Sequence, residues 1–192
     1  MLNQHQTIRD NIEKFNKPMP LVSHLAALIG NKKTVKIADL GSGAYSTIGS
    51  YLNGVEVDIY HSDNQDFSAF CKKYDFVPRI PIEYQDMEQL TYPDESFDIV
   101  HCANALDHTR DAAIAVEEMI RVCKPGGWVY IDSHLDQLDT GHKHYWNAKK
   151  DGVFTNDNAK LLFDLKDWGF KIKFIDRGGE SRYNHIIATL QK

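Results

Sequence analysis

Apolar residues recur in two rhythms. Short, almost continuously apolar runs at 34–40 (TVKIADL), 55–61 (VEVDIYH), 97–103 (FDIVHCA) and 128–132 (WVYID) predict strands, and IEY at 82–84 predicts a weaker one. Leu21, Leu25, Leu28 and Ile29 instead repeat at helical spacing before Gly30-Asn31, which predicts a helix over 18–30. Segments 45–52 and 67–74 have helical length, and 111–123 places Val116, Met119, Ile120 and Cys123 on one face. Lys124-Pro125-Gly126-Gly127 ends that helix, since proline cannot continue it and glycine accepts positive φ. A helix at 159–168 and strands at 170–175 and 182–190 follow, the last two joined at Gly178-Gly179.

Strands alternating with helices predict an α/β domain with a doubly wound, mainly parallel sheet. The turn between the final pair is too short for a crossover helix, so those strands should run antiparallel. Seven strands are expected in one domain over 1–192, with a helical cap at 1–33. The aperiodic, polar and aromatic stretch 134–155 is read as a lid on the acceptor side.

Composition narrows the function. With 42% hydrophobic residues in 192, the chain can build a core without covalent staples, and 26% charged residues is a globular proportion. Lys+Arg number 22 against Asp+Glu 27, a net charge of −5, which argues against a nucleic-acid partner. Three cysteines without CxxC spacing support neither a disulfide framework nor a four-thiolate zinc site. No apolar run reaches signal-peptide or membrane-span length, so a cytoplasmic protein without a membrane partner is expected.

The sharpest chemical signal is Ala38-Asp39-Leu40-Gly41-Ser42-Gly43, where the first strand ends. Glycines there let the backbone approach a ligand, and a following helix would offer free N–H groups. Asp63 lies twenty residues past Gly43 at the end of the second strand, placed to accept from ribose hydroxyls. A dinucleotide fingerprint would want a third glycine, but the chain continues Ala44-Tyr45-Ser46. Asp39 would repel a pyrophosphate but could pair with a cationic amine, so S-adenosyl-L-methionine fits better than NAD.

With these residues the chain resembles the class I SAM-dependent methyltransferases. The likeness runs over about 34–133 and is carried by IADLGSG (37–43), YHSD (60–63), QDMEQLTYPDESFDIVHC (85–102) and MIRVCKPGGWVYI (119–131). It implies a Rossmann-like methyltransferase fold and cofactor contacts from Asp39, Gly41, Ser42, Gly43, Asp63, Asp86 and Met87. By the same resemblance Asp86 would bind the adenine amine and Met87 would pack on the ring. Tyr45 departs from the family, where most members have glycine. GSGAYSTIGS, ANALDHTRD and GHKHYWN are similar to a subgroup that modifies glycans and sugar-bearing metabolites.

On the acceptor side, Asn104 follows the fourth strand and is placed to meet the cofactor's amino-acid end. His108 is the leading candidate for general base, and Asp107 could orient it. A second cluster holds Asp132, His134, Asp136, Asp139, His142, His144, Tyr145 and Trp146, with His134 a further catalytic candidate and the aromatics suited to stacking on a sugar. These oxygen-rich ligands could take Mg²⁺, but their spacing matches no metal geometry, so no metal is assigned. The expected reaction is methyl transfer to a small-molecule or glycan hydroxyl, by a protein that could be a homodimer. The competing readings are a nitrogen, carbon or protein acceptor, and a SAM-binding module without catalysis. Ala103-Asn104-Ala105-Leu106 stands where a nucleobase N-methyltransferase would carry Asp/Asn-Pro-Pro-Tyr/Phe.

Overall fold

A computed structural model describes residues 4–135, 145–155, 161–177 and 184–192. Its centre is a seven-stranded sheet in the order β3-β2-β1-β4-β5-β10-β9. The strands are β1 (Thr34–Leu40), β2 (Glu56–Asp63), β3 (Ile82–Tyr84), β4 (Phe97–Ala103), β5 (Cys123–His134), β9 (Lys171–Ile175) and β10 (His185–Gln191). β1 through β5 pair in parallel, and β10 runs antiparallel to both β5 and β9, as the short final connection requires.

Strand alternation divides the sheet residues between two layers. On one face Ala38, Leu40, Val100, Cys102, Val129, Ile131 and Ile186 pack under helix α4 (Ala112–Val122), which contributes Val116 and Met119. Asp111 caps that helix by accepting from the N–H groups of Ala113 and Ile114, and the chain leaves it at Cys123 directly into β5. Lys124–Gly127 is therefore the start of a strand, tied to the chain end by Gly126 N–H to Lys192 O and Lys192 N–H to Gly127 O.

On the other face Val35, Ile37, Ile59, Ile99 and Tyr130 pack under helix α2 (Ser23–Ile29) through Leu25 and Ile29. Helix α1 (Gln4–Phe15) precedes it, and α3 (Ser68–Tyr74) joins β2 to β3. The predicted helix over 18–30 begins only at Ser23: Pro18 and Pro20 disfavour helical geometry at the residues before them, and Met19, Leu21 and Val22 pair through their backbone with 48–51.

Two predicted helices are absent. Residues 45–52 are pulled against 19–22 instead: Leu21 N–H donates to Tyr51 O, Val22 N–H to Ile48 O and Ser50 N–H to Met19 O. Gly49 makes this approach possible, with φ +84° and the Pro20 carbonyl 2.1 Å from where a Cβ would stand. The 159–168 helix is replaced over its described part by strand β8 (Leu161–Asp164) and a 3-10 turn (Leu165–Trp168). β8 pairs with β7 (Val153–Thr155), placing Phe163 opposite Phe154 with the rings stacked 5.0 Å apart. With β6 (Asn147–Ala148) these strands form a small second sheet. A cross-strand aromatic pair outweighs local helix preference there. The Gly178-Gly179 turn lies outside the described residues. Among the described residues, no helix is long and apolar enough to cross a membrane.

Candidate active site

Parallel strands gather their C-terminal ends along one edge of the sheet, where open α/β folds bind ligands. Two clefts open there. The larger, about 470 Å³, is lined by Gly41, Gly43, Asp63, Asp86, Met87 and Glu88 on one side and by Asn104, Ala105, His108, Thr109 and Tyr145 on the other. That volume lies within the ~300–1,000 Å³ range of small-molecule sites.

The floor of this cleft is the turn after β1. Gly41 sits at φ +65°, and a Cβ there would stand 2.3 Å from that of Ala105, so only glycine lets β1 and the segment after β4 meet. Gly43, at φ +67°, has open space where its side chain would be. Its N–H donates to Asp63 Oδ2 at 3.0 Å, and Gln65 N–H donates to Oδ1 at 3.1 Å. Burial pushes the Asp63 carboxyl above its ordinary value, against these backbone hydrogen bonds. Asp86 accepts from Glu88 N–H at 3.0 Å and lies 3.5 Å from the Arg110 guanidinium, while Met87 contacts Cys102 through sulfur.

The lining suits a nucleoside with a cationic tail. Ser42 Oγ, between the two glycines, is buried without a hydrogen-bond partner among the described residues, but Ser42 lines neither cleft, so the side-chain contact with the cofactor expected of it is not formed by this wall. Asp63, Asp86 and Glu88 provide acceptors for hydroxyls and an amine, and would repel a pyrophosphate. Gln85, at the start of the 85–102 stretch, and Asn64, Gln65 and Phe67, which no sequence motif had marked, complete the wall.

The structure separates the other candidates. Asp39 lines neither cleft; it is 3% exposed, and its Oδ1 accepts from His101 Nδ1 at 2.7 Å. It is therefore already paired, and the free carboxylate expected to meet the amine of a cofactor is not available. Burial raises the Asp39 carboxyl, but the hydrogen bond and charge of His101, with the Ser46 hydroxyl and His61, together outweigh it and leave the group below its ordinary value. The reason is register: Asp39 stands opposite His61 and His101 across β2, β1 and β4, on the face covered by α2.

Asp107 and His108 lie on a 3-10 turn (Leu106–His108), with His108 Nε2 4.0 Å from Asp107 Oδ1. His108 walls the larger cleft, and Asp107 is buried with its carbonyl accepting from Tyr145 and Trp146 N–H. Trp146 is a core residue, 7% exposed and donating its Nε1–H to Thr109 O at 2.8 Å, so it is not a stacking surface for a sugar. Asp136, Asp139, His142 and His144 lie outside the described residues.

The second cleft, about 290 Å³, meets the first at Asn104. Val22, His24, Thr47 and Ile48 form one wall, and Asp132, His134, Arg177 and His185 the other, with His101 and Ala103 between them. Asn104 has φ +51°; its N–H donates to Asp132 O and its Oδ1 accepts from His134 N–H, which pins the junction. His185 Nδ1 stands 2.5 Å from Asp132 Oδ1, and Arg177 Nε–H points at its Nε2 from 3.4 Å. Burial pushes His24 and His134 below the usual imidazole value. Of this cleft only Asn104, Asp132 and His134 were singled out as site candidates in the sequence, because its walls come from segments more than a hundred residues apart. Among the described residues, none of 4–33 lines the larger cleft.

A methyltransferase-domain family model matches residues 38–131. An uncharacterized methyltransferase, YcgJ, of Bacillus subtilis is 27% identical over 179 residues, covering 81% of this chain and 70% of its own length. A sterol 24-C-methyltransferase of Aspergillus fumigatus is 25% identical over 122 residues, 58% of this chain; the match spans only 32% of that enzyme. A SAM-dependent methyltransferase from Aquifex aeolicus shares the fold, with a TM-score of 0.52 at 16% identity over 94% of this chain and 96% of that one. The turn after β1, the acidic cleft beside it, the strand order and these likenesses converge: the chain belongs to the class I S-adenosylmethionine-dependent methyltransferases.

Proposed function

We propose that this enzyme methylates a hydroxyl of a small polar molecule or glycan held in the second cleft. The observation that carries the reading is the meeting of the two clefts at Asn104. An acceptor beside Asn104 adjoins the place where the cofactor's methyl-bearing end would rest.

When bound, S-adenosylmethionine supplies a methyl group on a good leaving group, so the chain has to align the acceptor and remove a proton. In this reading Asp63 accepts from the ribose hydroxyls and Asp86 from the adenine amine. Met87 packs on the base, and Gly41 and Gly43 hold the amino-acid end together with Asn104. His108 closes the cofactor side. Imidazoles, Asp132 and Arg177 line the acceptor side, a wall that favours a hydroxylated ligand over a sterol or other hydrocarbon.

The test is incubation of the protein with methyl-labelled S-adenosylmethionine and a small-molecule extract, followed by NMR of the labelled products. Label in an O–CH₃ group is expected. Label on carbon, nitrogen or protein would overturn the reading.

A further inference from the structure

Two carboxylate–imidazole pairs stand at the second cleft: Asp132–His185 in its wall, and Asp39–His101, of which only the histidine lines it; neither histidine was a site candidate in the sequence. They differ in access to water. In the first pair both side chains are 5% exposed, with Tyr130 stacked 5.4 Å from the His101 ring and His24 6.3 Å from it. In the second, the His185 side chain is likewise only 6% exposed, but its partner Asp132 is 20% exposed and Arg177 beside it is exposed. A base that turns over must release its proton to water after each cycle, and of the two pairs only the second has a partly exposed carboxylate and an exposed neighbour beside its imidazole.

The tautomer of His185 follows from its neighbours. An ionised carboxylate only accepts, so Asp132 requires the proton on Nδ1. The Nε2 lone pair then accepts from Arg177 Nε–H at 3.4 Å, a long hydrogen bond that an entering hydroxyl displaces. That is the arrangement of an oriented general base. The ionisable groups around it are Asp132 and His134 on β5 and Arg177 after β9, with His101 on β4 and His24 on α2 lining the same cleft.

We propose that His185, held by Asp132, takes the proton of the acceptor hydroxyl; the proposal rests on the hydroxyl reading above. The acceptor oxygen forms its bond to the methyl carbon as the bond from that carbon to sulfur breaks, the sulfur keeping the electron pair. The hydroxyl proton passes to Nε2 of His185, giving an imidazolium stabilised by Asp132, and then to water.

Two measurements test this. Nitrogen-15 histidine NMR of the protein with S-adenosylhomocysteine should show His185 protonated on Nδ1 and bare on Nε2 at neutral pH, and Asp132→Asn should abolish that preference. In the labelled-extract assay, His185→Gln should lower O–CH₃ formation on the order of 100-fold at neutral pH, with partial recovery as pH rises. Its affinity for S-adenosylhomocysteine should stay within about twofold of wild type, because His185 does not line the cofactor cleft. If His185→Gln fails to fold, Asp132→Asn carries the rate test, with a loss of about tenfold or more expected.

A proton on Nε2 in the wild-type protein, or ether formation at the wild-type rate in these variants, overturns the proposal and leaves the hydroxyl reading standing. Wild-type label on carbon, nitrogen or protein removes both.

Discussion

The two clefts at the C-terminal edge of the sheet are built from opposite materials. The larger presents open glycine backbone and the carboxylates of Asp63, Asp86 and Glu88, while the smaller presents four imidazoles, two of them tied to carboxylates. Three carboxylates, of which only Asp86 has a cationic side chain beside it (Arg110) among the described residues, suit a cationic, polyhydroxylated ligand, whereas oriented imidazoles suit proton transfer. Asn104 is the shared wall, so binding and proton chemistry are divided between neighbouring sites, and a change in one cleft should leave the other largely intact.

The strongest test of that division is Gly41→Val. The side chain would enter a left-handed backbone position and run into Ala105, separating the two strands that floor the larger cleft. Calorimetry should show S-adenosylhomocysteine affinity reduced by about 100-fold or more, with a stability loss on the order of 2–3 kcal/mol. Retained affinity would break the assignment of that cleft to the cofactor.

Asp63→Ala comes next. Losing a charged acceptor for hydroxyls should weaken binding by roughly 10- to 100-fold, read by the same titration. The pH response follows from the raised Asp63 carboxyl. Binding needs the ionised form, so affinity should be full above the raised pKa and fall as pH drops through it. The onset should therefore lie above the ordinary carboxylate value of about 3.9. Asp63→Asn should flatten this dependence, and an unchanged profile in that variant would assign the titration to another group.

A change at the far end of the same strands sharpens the comparison by sparing both clefts. Asp98 accepts from Lys32 Nζ at 2.5 Å, Lys124 Nζ at 2.8 Å and Lys36 N–H at 3.0 Å. Burial pushes its carboxyl up, but the Lys124 and Lys32 hydrogen bonds outweigh this and hold it at about 2. A depressed carboxyl stabilises the fold above its unfolded pKa of about 3.9, and the contribution drains away as pH falls towards 2. Asp98→Asn should cost about 2 kcal/mol by denaturant titration at neutral pH and lose much of the wild type's acid sensitivity between pH 4 and 2. Its cofactor affinity should be unchanged.

The smallest effect is expected at Tyr145, which lines the larger cleft while 37% exposed. Tyr145→Ala should alter S-adenosylhomocysteine affinity only a few-fold, since a half-exposed ring buries little surface on binding. A loss as large as that of Asp63→Ala would make the ring a principal contact.

Legibility followed the range of the interactions. The turn at Gly41–Gly43 and the carboxylates at 63 and 86 were readable because each piece is a few consecutive residues delivered to the same edge by a parallel strand. The helix expected at 45–52 failed because its N–H and C=O groups pair with 19–22, a contact that no local preference reveals. Asp39 was misjudged for a related reason: the residue opposite it on β4 is His101, and cross-strand register is invisible in the order of residues.

Strand periodicity, the glycine turn and the spacing of carboxylates determined by themselves the α/β class, the antiparallel final strand and the position of the larger cleft. These are properties of single segments and of the sterics of the backbone. Only the tertiary structure decided that His101 and His185 stand beside Asp39 and Asp132, and that Trp146 packs in the core. Such partnerships join strands far apart in the chain, and their energy comes from burial and cross-strand pairing, which exist only once the sheet has closed.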